Sequence, residues 1–146
     1  MGKAREVMDR LTRAAAQEHN VEAVKECYTD DALLVTPDAG ELRGREKAAD
    51  YWRPFIEAFP DMTFEPLRTF EAGDTAIDEG WVSGTHSGPM RLPDGHTIDP
   101  TGRRVKFRTV DLATVDNGKI KEHHMDFDQL DFMEQLGISP SGKQAS

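Results

Sequence analysis

Asp111 and His123 stand on either side of a tight-turn signal in the stretch Asp111-Leu-Ala-Thr-Val-Asp-Asn-Gly-Lys-Ile-Lys-Glu-His123. An imidazole exchanges protons near neutral pH, and a neighbouring carboxylate fixes its tautomer and supports the imidazolium. Such a pair could abstract a proton alpha to a carbonyl, or activate water, with His123 as the acid/base and Asp111 as its orienting partner. Asn117-Gly118 supplies the left-handed backbone that a hairpin needs. If Asp116-Asn117-Gly118 form a three-residue loop, Val115 faces Lys119 and Asp111 lies opposite His123. A two-residue Asn-Gly loop would instead pair Leu112 with His123 and separate the two. With the first parity, Thr109, Asp111 and Ala113 share a face with His123, Met125 and Phe127. A mostly apolar face holding one Asp and one His is how a small-molecule pocket is often lined. The alternative is a hydrogen-bonded cross-strand pair that fills a polar gap in the core.

Other residues belong beside this pair or are set aside. Trp52, Phe55, Phe59, Trp81, Phe107 and Met125 could line a cavity for a flat apolar ligand, although most such residues serve as core. Tyr51 offers a phenol to the same space or to the surface. His123-His124 with Asp126 does not read as a metal site, because adjacent strand residues point to opposite faces. No metal is expected. Arg103, Arg104 and Arg108 read as surface ion-pairing partners among 27 acidic residues rather than as an anion site.

The net charge of −9 argues against nucleic acid and anionic membranes as partners. At 146 residues the chain reads as one domain over 1–138 with a frayed tail over 139–146. No apolar run reaches membrane-spanning length, and the N-terminus lacks the apolar core of a signal peptide. The lone Cys27 reads as small and buried, in keeping with a reduced, soluble, cytoplasmic protein.

Helical spacing of Val7, Met8, Leu11, Ala14 and Ala15, then of Val21, Val24 and Tyr28 after a plausible N-cap at Asn20, predicts one broken helix or two short ones. A short strand over Ala32–Thr36 follows. A second helical region carries Ala48, Trp52, Phe55, Ile56 and Phe59, and Pro54 inside it predicts a kink or two pieces. Strands are expected over Met62–Phe70, Thr75–Thr85, Arg104–Val115 and Lys119–Phe127, with a short helix around Leu130–Leu136. The Gly88–Gly102 loop is long enough to cover a site. Helices first and antiparallel strands after is the order of an α+β domain.

Several segments, in this order, carry a family resemblance: Tyr28-Thr-Asp-Asp-Ala-Leu-Leu-Val-Thr-Pro37, Leu42-Arg-Gly-Arg45, Ala58-Phe-Pro-Asp61, Gly84-Thr-His-Ser-Gly88, Pro100-Thr-Gly-Arg103, Asn117-Gly-Lys-Ile-Lys-Glu-His123 and Gln135-Leu-Gly137. Together they resemble the SnoaL-like polyketide cyclase and ester cyclase proteins of the nuclear transport factor 2-like superfamily. The resemblance implies a cone-shaped α+β barrel, a curved and mostly antiparallel sheet wrapped around the N-terminal helices. It also implies a homodimer packed through the outer sheet face, a buried pocket, and no metal or organic cofactor. SnoaL-like cyclases close a ring by intramolecular aldol condensation with an aspartate as acid/base. That aspartate lies two residues after the His of the Gly-Lys-Ile-x-Glu-His motif, and here the position is Met125, which cannot transfer a proton. Either a bulge turns Asp126 inward as a reserve carboxylate, or catalysis passes to Asp111 and His123, or the cyclase chemistry is absent. The resemblance also puts His86 at the pocket mouth as an oxyanion donor. The plainer role for His86 is to anchor the long loop through Ser87 or Thr85.

The reading is therefore a cofactor-independent enzyme that cyclises or isomerises an apolar carbonyl compound such as a polyketide. The alternative is a non-catalytic small-molecule-binding or dimeric scaffold protein. A water-activating epoxide hydrolase would need a more extended Asp-Arg-Asp network.

Overall fold

Helix α1 (Lys3–Ala16) buries Ala4, Val7, Met8, Leu11, Ala14 and Ala15, the stripe that recurs every three or four residues. The computed structural model describes residues 3–92 and 94–138, so the expected tail over 139–146 lies outside the described residues. The chain breaks at His19-Asn20 and resumes as α2 (Val21–Glu26), where the Asn20 side chain accepts a hydrogen bond from the Ala23 amide at 3.1 Å. Helix α3 (Arg45–Ala58) runs through Pro54 as one helix, so of the expected kink or two pieces the division into two does not occur. Pro54 sits one turn from the C-terminus, so it removes only one hydrogen bond near an end, while Ala48, Tyr51, Ile56 and Ala58 hold the helix by burial.

Strands β1 (Tyr28–Thr36), β2 (Gly40–Arg43), β3 (Thr63–Ala72), β4 (Thr75–Thr85), β7 (Arg104–Asp116) and β8 (Lys119–Phe127) form a six-stranded sheet in the order β2-β1-β8-β7-β4-β3. Among the described residues, only β1 and β8 pair in parallel. The fold is α+β with a curved, mostly antiparallel sheet. The sheet stays open, with β2 and β3 as its edges, so it forms a cone-like wall rather than a closed barrel. The short strands β5 (Met90–Arg91) and β6 (Thr97–Ile98) pair inside the long loop, which thus carries structure of its own. Asp128 caps α4 (Gln129–Leu136), and Gly137 ends it in the left-handed conformation at φ 74°. Among the described residues, no helix is long and apolar enough to cross a membrane.

The hairpin that carries the candidate pair has a two-residue turn, in place of the expected three-residue loop. Asp116 faces Lys119, and Asn117 and Gly118 adopt φ 51° and 77°. Between the Val115–Ile120 and Thr114–Glu122 pairs, β8 holds one extra residue, Lys121. This bulge restores the parity that the shorter turn removes. Thr109, Asp111 and Ala113 consequently face Phe127, Met125 and His123 on the concave side.

Candidate functional site

The site is built on β7 and β8. His123 stands opposite Ala113, so its ring reaches Asp111 on the diagonal, with Nε2 3.5 Å from Asp111 Oδ1. That separation is long for a hydrogen bond. Both atoms, together with Thr109 Oγ1 two residues along β7, are buried and find no hydrogen-bond partner among the described residues. Buried polar atoms are nearly always satisfied, so these three on one cavity wall are groups available to a ligand. Asp111 and Met125 are direct cross-strand partners. The position that the family resemblance gives to the acid/base aspartate therefore faces, across the ladder, the carboxylate this chain does have.

On the other side of the imidazole, Nδ1 lies 2.8 Å from Tyr28 Oη, and the Trp52 indole N–H donates to that same oxygen at 3.0 Å. Tyr28 opens β1 beside Ile120 and is fully buried. Burial pushes its phenol far above the usual tyrosine range, so it remains protonated.

The remaining walls are apolar. Met8, Leu11 and Ala15 come from α1, Trp52 and Phe55 from α3, Phe64 and Val82 from β3 and β4, and Phe107, Met125 and Phe127 from β7 and β8. The enclosed space measures about 80 Å³, room for a few waters or one small fragment. Tyr51, Phe55 and Phe127 separate it from a groove of about 560 Å³ under the β5–β6 hairpin, lined by Met90, Leu92, Phe132 and Met133. Tyr51 donates from its hydroxyl to Asp38 at 2.9 Å, and burial together with that carboxylate raises its pKa strongly.

Of the residues singled out from sequence, Asp111, His123, Tyr51, Trp52, Phe55, Phe107 and Met125 line the cavity. Four others do not reach it. Phe59 packs instead against His86 and Phe132, with ring centroids 5.5 Å and 5.9 Å away. Asp126 is exposed and pairs with Val110 on the convex side, because the bulge falls before His123 and leaves the strand regular after it. Trp81 also faces outward, since Asp78, Gly80 and Val82 occupy the inward positions of β4, and Lys106 Nζ lies 5.0 Å from its ring. His86 is fully buried but belongs to the loop anchor. Its Nδ1 accepts from the Thr101 amide at 3.2 Å and meets Thr101 Oγ1 at 3.0 Å, while its backbone bonds to Arg103 and Gly102. Burial lowers its pKa, with the Gly88 backbone acting the other way. Arg104 and Arg108 pair with Asp61 and Glu79 on the surface. Among the described residues, no group of three or more His, Cys, Asp or Glu could hold a metal ion.

Composition and pattern left three participants unnoticed. Tyr28 fits the helical spacing of Val21 and Val24, which hides its place at the head of a strand. Thr109 gave no signal beyond its shared face with Asp111. The third is the buried ion pair of Arg5 on α1 with Asp78 on β4, at 2.7 Å and 2.8 Å. Asp78 is the cross-strand partner of Asp111, and burial raises its pKa against the pull of Arg5. Arg5 bridges Asp78 to Asp9, so it secures α1 to the sheet beside the site.

Comparison with known proteins places this arrangement in a family. The SnoaL-like domain matches residues 8–123. A comparison with curated proteins by sequence finds no match. Among solved structures, a protein from Jannaschia sp. CCS1 named a putative SnoaL-like polyketide cyclase is 20% identical with a TM-score of 0.78, over 94% of each chain. A second, a polyketide cyclase by the same kind of naming from Acidithiobacillus ferrooxidans, is 26% identical with a TM-score of 0.73, over 92% of this chain and 94% of that one. An epoxide hydrolase of the LEH-like type from M. tuberculosis is 20% identical with a TM-score of 0.65, over 92% and 89%. Low identity at high structural similarity carries the fold and leaves the chemistry to the residues. On the match over residues 8–123, this chain belongs to the SnoaL-like domain family.

Proposed function

We propose that this SnoaL-like domain is a cofactor-independent enzyme that moves a proton on an apolar, carbonyl-bearing small molecule, leading to cyclisation by aldol condensation or to isomerisation. The observation that carries the reading is the convergence of Thr109 Oγ1, Asp111 Oδ1 and His123 Nε2, all buried and unpartnered, on one apolar cavity. A carboxylate and an imidazole held in a water-poor cavity can take and return a proton alpha to a carbonyl. Among the described residues the cavity wall contributes no arginine or lysine, which favours a neutral substrate over an anionic one. Two solved relatives named for polyketide cyclisation are consistent with that substrate class.

Apolar side chains on the convex face support the rest of the reading. Ile77, Trp81, Val110 and Leu112 point outward there, and Phe70 is 57% exposed near the edge, a surface suited to a homodimer. The lone, buried Cys27 suits a reducing cytoplasm.

The competing reading is a non-catalytic binding protein, and Met125 at the family's aspartate position favours it. Incubating the protein in D2O with a panel of neutral aryl ketones separates the two. The enzyme reading expects accelerated exchange of alpha protons, read by NMR, that is lost in Asp111→Asn. Ligand-dependent change in Trp52 fluorescence with no exchange would favour the binding protein.

A further inference from the structure

We infer that Tyr28 and Trp52 are positioning residues that hold the His123 proton on Nε2, so that His123 is the hydrogen-bond donor of the site and Asp111 its proton acceptor. The catalytic consequence rests on the acid/base reading above, whereas the tautomer itself follows from hydrogen-bond accounting alone.

The chain of donors has one consistent direction. The Trp52 indole nitrogen can only donate, and it donates to Tyr28 Oη at 3.0 Å. The Tyr28 hydroxyl has one proton to place, and among the described residues its oxygen has only one further partner, His123 Nδ1 at 2.8 Å. If Nδ1 carried a proton, the two hydrogens would compete for one contact, and the fully buried Tyr28 hydroxyl would be left without an acceptor. An unsatisfied buried donor costs about 1–3 kcal/mol. The arrangement that satisfies every group has Tyr28 donating to Nδ1, and the neutral ring then carries its hydrogen on Nε2, facing Asp111 and the cavity. An imidazolium would meet the same conflict at Nδ1.

This reverses the roles that sequence suggests, in which His123 takes the proton and Asp111 orients it. A neutral imidazole with Nε2–H can polarise a carbonyl oxygen but cannot serve as base at that nitrogen. Asp111 Oδ1, 3.5 Å away, offers the lone pair. The α-carbon and the carbonyl oxygen of a ketone are attached to the same carbon, so one substrate edge spans both atoms. The α-proton passes to Asp111, the C–H electron pair moves into the enolate, and the enolate oxygen accepts the His123 N–H. In a cyclisation the enolate carbon then bonds to a second carbonyl carbon of the same molecule. The resulting alkoxide recovers the proton from Asp111, and the sum is an aldol with no net gain or loss of atoms.

The test is long-range proton–nitrogen NMR on protein labelled with ¹⁵N-histidine at neutral pH, with His123 assigned by its loss in His123→Asn. The expected spectrum has a protonated, pyrrole-type Nε2 and an unprotonated, pyridine-type Nδ1. Tyr28→Phe, which keeps the ring and removes the donor, is expected to shift His123 towards a mixture of tautomers. Trp52→Phe leaves Tyr28 in place and is expected to shift it less. A wild-type His123 protonated on Nδ1 or on both nitrogens would overturn the inference, and so would an unchanged tautomer in a folded Tyr28→Phe. Should the D2O exchange assay fail while the Nε2–H signature holds, the positioning stands and the catalytic reading falls.

Discussion

Asp111 and Met125 face one another across the β7–β8 ladder on the concave side of the sheet. The family resemblance implies an acid/base aspartate at the position of Met125. In this chain the cavity-lining carboxylate of the pair stands on the adjoining strand, at Asp111. Asp111→Asn keeps the shape and removes the base. It is expected to reduce alpha-proton exchange by about 10²–10⁴-fold with an unchanged circular dichroism spectrum. A variant that exchanges at the wild-type rate would remove Asp111 from the chemistry.

Arg5 and Asp78 form a buried ion pair that joins α1 to the sheet next to Asp111. Breaking it from one side leaves a buried charge alone, which is worse than having no charges at all. Arg5→Met is expected to destabilise the fold by about 3 kcal/mol. The double variant Arg5→Met with Asp78→Leu should recover much of that loss. Urea denaturation of the two single variants and the double closes the cycle. Additive losses in the double would show that the two side chains do not act as a pair.

His86 gives the fold a dependence on acid. Burial lowers its native pKa below the ordinary value of 6.5, so the unfolded chain takes up the proton first as pH falls. The stability it contributes is fully present above about pH 6.5 and is lost as pH falls from there through the lowered native value. The denaturation midpoint of the wild type should therefore drop between about pH 7.5 and about pH 5.5. His86→Gln should lower stability at the upper pH and flatten the drop. A slope that survives the substitution would assign the acid sensitivity elsewhere.

The wall formed by Tyr51, Phe55 and Phe127 stands between the cavity and the groove and is expected to select ligands by size. The enclosed space of about 80 Å³ is well below the roughly 300 Å³ of ordinary ligand pockets, and the groove beyond the wall holds about 560 Å³. A ligand of several fused rings would need both. Phe55→Ala, at a half-buried position, should join them at a cost of no more than about 3 kcal/mol, and should tighten binding of larger aryl ketones as read by Trp52 fluorescence. Equal affinity for small and large ketones in wild type and variant would show that the wall is not selective.

Gly88 is a place where no side chain fits. A Cβ there would overlap the Glu57 carbonyl, because the Ser87 and Gly88 amides both donate to Ala58 O at the end of α3 at 3.1 Å. Gly88→Ala should cost about 1–3 kcal/mol and loosen the hairpin loop against α3, seen as faster amide hydrogen exchange at Ser87 and Gly88. Unchanged exchange there would contradict the tight junction.

Much of this was legible in the sequence. The strand limits Thr75–Thr85 and Lys119–Phe127 follow from alternation and turn residues, and the structure has the same bounds. The shared face of Asp111 and His123 was legible too, although two differences cancel to produce it. The turn is one residue shorter than expected, and Lys121 adds one residue back to the opposite strand. A bulge leaves no local signature, because both Lys121 and Glu122 are polar and exposed. Tyr28 was hidden because a period of three to four places it after Val24 as well as at the start of β1. Trp81 was misplaced by its aromatic character. Strand parity, with Asp78 and Gly80 inward, sends it to the other face. Arg5 pairs with a residue 73 positions away, a contact that no periodicity encodes.

The most direct test of the account is the exchange of the two facing side chains. Alpha-proton exchange of a neutral aryl ketone in D2O would be measured for wild type, Asp111→Met, and the double variant Asp111→Met with Met125→Asp. A carboxylate held over the same cavity from either strand should abstract the same proton, so the account predicts exchange in wild type, its loss in Asp111→Met, and its partial return in the double variant. Full exchange in folded Asp111→Met would contradict the claim that Asp111 is the base of this site.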